Sequence, residues 1–295
     1  MKRILVTGAT GNIGSEVIHY LSELSSELEI IAGVRSIDKA EHRLSGYPNL
    51  SFIQFDFESA DTFGSAFGGI DILFLLRPPQ ISKVEEFFRP LLESAKENGI
   101  RNVVFLSVQG AEKSKVIPHN KIERLIQELG FNYIFVRPGY FMQNLTTMLL
   151  PEIFESRTIT LPSGKAKFNW IDVKNIGEAS ARLILSFGKY KNKEYEITGK
   201  QNRNFSEVTE LMAYLTGIEF KYKSINPISF YFKKRKEGIE SSFALVITIL
   251  HFLPRFQKEP EISDNFKKLT GKEPTTLAEF IEREKEKLTT PWQSI

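Results

Sequence analysis

The first 140 residues switch repeatedly between short apolar runs and longer stretches of helical spacing. Residues 2–7 are apolar and β-branched, as a buried strand requires. Five further runs have the same character: "EIIAGV" (29–34), "NLSFIQF" (49–55), "IDILFLL" (70–76), "NVVFLSV" (102–108) and "NYIFVRP" (132–138). Between them, "SEVIHYLSELS" (15–25) and the stretches near 37–45, 60–67, 83–98 and 119–129 carry apolar residues at helical spacing. Asp61 and Ser82 are placed to cap two of these helices, and Gly99 and Gly130 lie just past two others. Strands that alternate with helices imply βαβ units. The near-continuous apolar strands imply a sheet buried on both faces. The expected class is α/β with a doubly wound parallel sheet.

The pattern changes after about residue 140, where Pro151, Pro162 and Gly164 interrupt the chain. "YEITG" (195–199) predicts another strand, and "FSEVTELMAYLTG" (205–217) a helix closed by Gly217. "FALVITIL" (243–250), the longest apolar run, reads as a buried helix. "TTLAEFIEREKEKL" (275–288) reads as an amphipathic helix. The expected division is a core over 1–150 and a smaller, mostly helical C-terminal region over 151–295, with about 165–200 returning to the sheet.

Composition narrows the class. The chain has 295 residues, 41% apolar and 25% charged, as in an ordinary globular protein able to bury a sizeable core. A net charge of +3 argues against a nucleic-acid partner. The absence of cysteine removes disulfides, thiolate catalysis and cysteine-ligated zinc, and suits a reducing cytoplasm. No run is long enough to span a bilayer, and the N-terminus reads directly as a strand rather than a signal peptide, so a cytoplasmic protein without a membrane partner is expected. Nothing in the sequence points to a metal.

The candidate chemistry begins at "VTGATGNIG". Gly8, Gly11 and Gly14 fall between a strand and a helix, inside a βαβ unit. Gly8 permits the tight turn, Gly11 lets a pyrophosphate approach the backbone, and Gly14 lets the helix pack on the strand. The helix N-terminus at Gly11–Ser15 favours an anion, with Thr10, Asn12 and Ile13 in the same turn. A carboxylate roughly 20 residues on would select NAD. This chain instead has "GVRSIDKA", with Arg35, Ser36 and Lys39. A guanidinium pairs well with a 2′-phosphate, so NADP(H) is preferred over NAD(H). Asp56 and Phe57 are placed to meet the adenine, with capping and surface roles open for Asp56. Leu76, Arg77 and Pro78 form a rigid loop at the carboxyl edge, where Arg77 either meets phosphate or faces water.

"VTGATGNIG", "GVRS", "FDFES", "LLRPP", "FLSVQGAE" and "FVRPGYFMQN" occur in this order, and "KKLTGKEPTTLAEFIE" near the C-terminus completes the set. Together they resemble the NmrA-like branch of the atypical short-chain dehydrogenases/reductases, over nearly the whole chain. The resemblance implies a Rossmann fold with a small C-terminal substrate domain, and NAD(P) as cofactor. It also implies one of two activities: reduction of quinones, dyes or similar small acceptors, or non-catalytic sensing of the NADPH/NADP ratio for a regulatory protein partner.

The resemblance also places site residues. Ser107 stands where the family serine would be, but the following "KSKVIPHNKIERLI" has no tyrosine, so the usual YxxxK pair is missing. By register, Lys115 takes the tyrosine position and His119 the lysine position. Ser107 and His119 are the catalytic candidates, and both also belong to the expected cofactor set. His119 would donate a proton or hold the nicotinamide ribose, with a solvent-facing helix start as the alternative and Lys121 as another ribose contact. Pro138 and Gly139 would lie under the nicotinamide. Tyr140, Phe141, Asn144, Phe168 and Trp170 would line the acceptor site, and core packing is open for Phe141, Phe168 and Trp170. Without the tyrosine, an acceptor that takes its proton from water is favoured over a ketone. The aromatic and basic segment 220–256 reads as a solvated face beside an apolar core and would shelter the acceptor, with single-stranded nucleic acid as the other reading.

Overall fold

The six apolar runs of the first 138 residues form six parallel strands. The structure, a computed structural model, describes residues 1–115 and 117–290. Its strands are β1 (Lys2–Thr7), β2 (Leu28–Val34), β3 (Leu50–Gln54), β4 (Ile72–Leu76), β5 (Asn102–Leu106) and β6 (Asn132–Pro138), followed by β7 (Tyr140–Phe141), β8 (Thr158–Leu161), β9 (Phe168–Ile171), β10 (Lys193–Ile197), β11 (Asn202–Arg203) and β12 (Lys221–Ser224). The helices up to residue 138 are α1 (Asn12–Leu24), α2 (Ile37–Arg43), α3 (Phe63–Phe67), α4 (Val84–Glu97) and α5 (Pro118–Glu128). Beyond it lie α6 (Leu150–Ser156), α7 (Val173–Leu185), α8 (Phe187–Tyr190), α9 (Phe205–Thr216), α10 (Pro227–Lys236), α11 (Ser241–Phe252), α12 (Asn265–Thr270), α13 (Leu277–Arg283) and α14 (Lys285–Thr289).

The chain divides into two compact units. The first comprises Met1–Pro138, Val173–Ile197 and Asp264–Glu273. Its seven-stranded sheet has the order β10-β6-β5-β4-β1-β2-β3, and every pairing is parallel. From β1 the chain runs outward to β3, then returns past β1 to build β4, β5, β6 and β10 on the other side. The order therefore reverses between β1 and β4, the place where open α/β sheets bind ligands. Register carries the strand ends to one edge: Thr7 lies opposite Gly33, and Leu76, Leu106 and Val136 form one row. On one face of the sheet, Phe55, Phe67, Phe88, Phe105 and Phe135 are buried in a single cluster. On the other face, α7 packs on α1 so closely that a Cβ on Gly177 would lie 2.5 Å from Glu16 Cβ.

The second unit comprises Gly139–Asp172, Thr198–Ser263 and, of the described residues after these, 274–290. It holds a three-stranded sheet of order β11-β9-β7, the parallel pair β12-β8, and helices around a core that includes Tyr140, Phe168, Trp170, Phe205, Phe230 and Phe280. Asn169, itself buried, donates to Gly199 O (3.1 Å) and accepts from Gly199 N (2.7 Å), so one side-chain amide satisfies both backbone groups of that residue.

Several local expectations hold and others do not. Gly99, Gly130 and Gly217 adopt φ of +90°, +73° and +76°, as helix ends in the left-handed region require. Ser82 does not cap α4: Lys83 precedes its first residue. Asp61 lies inside a short 3-10 turn, Ala60–Thr62, whose preceding residue is Ser59. The segment 275–288 is two helices rather than one, with a capping box between Thr276 and Glu279 starting the first. The run 243–250 is helical but buries only one side, Ala244, Ile247 and Thr248, while Leu245, Ile249 and Leu250 face solvent. No helix among the described residues is long and apolar enough to cross a membrane, and these residues contain no cluster of three or more potential metal ligands.

Candidate dinucleotide-binding site

The glycine turn is fixed from below by Thr7. Its buried hydroxyl donates to Phe74 O (3.1 Å) and accepts from Leu76 N (2.9 Å), locking the end of β1 to the end of β4. Each glycine then has its own reason. Gly8 adopts φ +62°, and an added Cβ would come within 3.0 Å of Leu76 Cδ2. Gly11 N donates to Gly8 O (2.9 Å), closing the turn. A Cβ on Gly14 would lie 2.2 Å from Gly8 O and 2.8 Å from Gly8 C, so only glycine lets α1 start here. Gly11 is exposed and precedes α1 with no side chain to cap it. The first-turn N–H groups of Asn12, Ile13 and Gly14 have no acceptor within the helix, and the helix dipole adds positive charge where they emerge. Ile13 is buried and anchors the turn, while Thr10 is half-buried. The result is an anion cradle built of backbone.

Because Thr7 pairs with Gly33, the end of β2 lies beside this cradle. Arg35, Ser36 and Lys39 are exposed there, and the side chains of Arg35 and Lys39 bond to nothing among the described residues. Past β3, Asp56 Oδ1 accepts from Glu58 N (3.1 Å) in a local turn. Phe57 is buried, 5.0 Å edge-on to Phe55 and 5.6 Å from Phe88.

Past β4, Arg77 is half-buried and turns back on its own loop. One guanidinium nitrogen donates to Pro78 O (3.0 Å), Pro79 O (3.0 Å) and Ile81 O (2.7 Å), and Nε to His119 Nε2 (3.5 Å). The side chain therefore shapes its own loop, and burial pushes its pKa down to about 10. His119 follows Pro118 at the start of α5, 6.1 Å from the Phe105 ring. Desolvation, and then the charge of Arg77, push it down to about 3, so the ring is neutral near pH 7. That differs from the near-neutral titration an unperturbed imidazole would show. Ser107 is buried past β5, its N–H on Val136 O (2.8 Å), and its hydroxyl has no hydrogen-bond partner among the described residues. Buried hydroxyls are rarely left so, and this one sits at the carboxyl edge.

A buried ion pair behind these loops escaped the sequence reading. Arg137 donates to both carboxylate oxygens of Glu123 (2.9 and 2.8 Å) and to Glu112 (3.0 Å), tying β6 to α5 and to the segment after β5. The arginine inside the apolar run "NYIFVRP" was the available signal. Pro138 is buried at the end of that strand, and its carbonyl accepts from Gln109 N (2.9 Å).

In the second unit, Gly139 approaches Asn169 so closely that a Cβ would lie 2.7 Å from Asn169 O. Tyr140, Phe168 and Trp170 are buried together, with Phe168 and Trp170 rings 5.1 and 4.8 Å from Tyr140. Phe141 and Asn144 are half-buried. His251, fully buried, bonds Ile247 O through Nδ1 (2.8 Å) and Tyr140 Oη through Nε2 (2.9 Å). A carbonyl can only accept, so Nδ1 carries the proton, Nε2 accepts, and the Tyr140 hydroxyl donates. Burial raises the Tyr140 pKa well above its ordinary value and pushes His251 down to about 4. The folded-state value lies below the unfolded one, about 6.5, so the unfolded chain binds this proton first. The contribution of His251 is therefore fully present above about pH 6.5 and is lost as pH falls toward about 4, with a slope approaching 1.4 kcal/mol per pH unit. His119, pushed down further, adds a slope of the same sign over that range, so the test is a difference: denaturant unfolding should show a slope steeper in the native chain than in His251→Asn by about 1.4 kcal/mol per pH unit.

The sequence matches the NmrA-like family over residues 1–281. It is 30% identical over 277 residues to prestalk A differentiation protein A of Dictyostelium discoideum, covering 94% of this chain and 90% of that protein. It is 29% identical over 281 residues to an NAD(P)H azoreductase of Xenophilus azovorans, covering 94% and 96%. In fold it is similar to the crystal structure of an NADPH-dependent quinone oxidoreductase of Escherichia coli complexed with NADPH, with a TM-score of 0.84, 23% identity, and coverage of 95% and 99%. A doubly wound sheet with an anion cradle at its switch point, matched along nearly its whole length, places this chain in the NmrA-like family.

Proposed function

We propose that the protein is an NADPH-dependent oxidoreductase that delivers hydride to a quinone-like or other conjugated small acceptor. The observation that carries this reading is the uncapped start of α1 beside Arg35 and Lys39, two exposed cations without a partner among the described residues. The residues fit a dinucleotide phosphate. The N–H groups after Gly11 would hold the pyrophosphate, with Gly8, Thr10 and Leu76 shaping the turn. Arg35, Ser36 and Lys39 would hold the 2′-phosphate, and Asp56 the adenine amino group. The unpartnered hydroxyl of Ser107 offers a hydrogen bond toward the nicotinamide end, with Pro138, Gly139 and the neutral ring of His119 as further contacts. When bound, the reduced nicotinamide supplies the hydride.

The protein's own groups decide which acceptors suit. A general acid must be protonated and titrate near the working pH. His119 is neutral there, and the Tyr140 hydroxyl is already given to His251. No proton donor is poised, which favours acceptors whose reduced form takes its proton from water. Phe141 and Asn144, partly open, are the nearer candidates for acceptor contact, while Phe168 and Trp170 support them from the core.

The test is NADPH oxidation against a panel of quinones and azo dyes, with NADPH affinity titrated alongside. Turnover supports the reductase. Tight binding with no turnover on the whole panel would instead favour a non-catalytic NADP(H) sensor acting on a protein partner. Cofactor choice has its own test. Arg35→Ala should weaken NADPH about 30-fold, on the order of 2 kcal/mol, and leave NADH nearly unchanged. Equal losses for both cofactors would remove Arg35 from the 2′-phosphate site.

A further inference from the structure

We propose that the helical hairpin α10–α11 docks on an anionic membrane surface, lying on it rather than spanning it. Residues 237–240 join the two helices, and each helix buries one face in the second unit: Phe230 and Lys234 from α10, and Ala244, Ile247, Thr248 and His251 from α11. The opposite face of a surface helix is normally polar. Here it presents Ile228, Phe232, Leu245, Ile249, Leu253 and Phe256, each 41–74% exposed. On α11 and the turn after it, Leu245, Ile249, Leu253 and Phe256 follow one another at helical spacing and form a stripe. Scattered exposed apolar residues need no explanation, but a stripe of this length does.

Charge selects the occupant. Between 227 and 258, six Lys or Arg residues face only two acids, Glu237 and Glu240. Lys233 and Lys234 are paired, with Glu152 (2.5 Å) and Glu237 (2.7 Å). Arg235, Lys236, Arg255 and Lys258 are exposed and form no ion pair among the described residues. Where the stripe ends, a cavity of about 520 Å³ is lined by Lys165, Lys167, Arg255 and Lys258, with Glu259, paired to Lys167 (3.0 Å), the one acid in its wall. Phe256 sits between two of these basic residues in sequence, 74% exposed. Apolar side chains that enter the headgroup layer, flanked by basic residues that meet lipid phosphates, are how a helix binds at an interface. A second copy of the chain fits less well, because a two-fold contact would set the basic cluster against itself. A single strand of nucleic acid fits less well too, because between 220 and 256 only Phe232 and Phe256 present largely exposed rings among the described residues, too few to stack successive bases.

The experiment is flotation of the full chain with phosphatidylcholine vesicles, with and without phosphatidylglycerol. The chain should float with the anionic vesicles, lose that binding at high salt, and bind phosphatidylcholine alone at least about tenfold more weakly. Leu245→Ser with Phe256→Ser should weaken binding to the anionic vesicles about tenfold or more. Lys236→Glu and Lys258→Glu should each weaken it about fivefold or more, since each basic residue near such a surface contributes about 1 kcal/mol. All four positions are exposed, so circular dichroism should show unchanged folds. Absence of flotation with anionic vesicles, or undiminished flotation of both sets of variants, overturns the proposal. So does sedimentation showing a dimer that Leu245→Ser and Phe256→Ser dissociate, which gives the face to a second copy.

Discussion

Gly14→Val loses NADPH binding and destabilises the first unit together. The added Cβ would sit 2.2 Å from Gly8 O and 2.9 Å from Ala9 Cα, and both are backbone atoms of the turn that forms the anion cradle. No rotamer change relieves a clash with backbone. Either α1 moves off β1, or the turn opens. The first separates Ile13 and Val17 from the core, and the second redirects the N–H groups of the cradle proposed to hold the pyrophosphate. The expected cost is about 3 kcal/mol or more in stability, with no measurable NADPH binding. Gly11→Ala is the control. Its Cβ would meet only Gly8 O, at 3.2 Å, so denaturation should shift little while cofactor binding weakens. Equal loss of stability in both variants would mean that the glycines serve packing alone.

Gly199→Ala should be as damaging in the second unit, by a different route. Its Cβ would lie 1.9 Å from Trp170 O, closer than any pair of unbonded heavy atoms tolerates. Relief requires the chain after β10 to move from β9. That breaks both bonds to Asn169 and disturbs Trp170, whose indole N–H is held by Arg203 O (3.0 Å). The expected loss is about 3 kcal/mol or more, read as a lower midpoint in thermal unfolding and a red-shifted tryptophan emission. An unchanged midpoint would show that the backbone there yields easily.

The strands of the first unit were legible because their signal is local. A continuous apolar run bounded by turn residues states its own role, and the spacing of Gly8, Gly11 and Gly14 states another. What stayed hidden depends on partners distant in sequence. Tyr140 and His251 stand 111 positions apart, and nothing near either announces the bond. Nothing near Arg77 in sequence announces that its donors turn back onto the loop carbonyls that follow it. His119 gave no sign in sequence that Arg77 and burial would keep it neutral. The run "FALVITIL" is apolar at every position but one, so it has no period to show which side goes inward. Only the packing of α11 divides it into a buried and an open face.

The place of β10 at the edge of the sheet sets an order of events during synthesis. β6 is complete at residue 138, but the strand that covers its open side is residues 193–197, and Asn265 adds a bond to Glu196 O later still (3.1 Å). Until those residues leave the ribosome, β6 presents a row of unpaired N–H and C=O groups to any passing strand. A chain cut after residue 138 would keep the whole glycine turn and six of the seven strands. It would nevertheless accumulate as aggregate, because its exposed edge is a template for another copy.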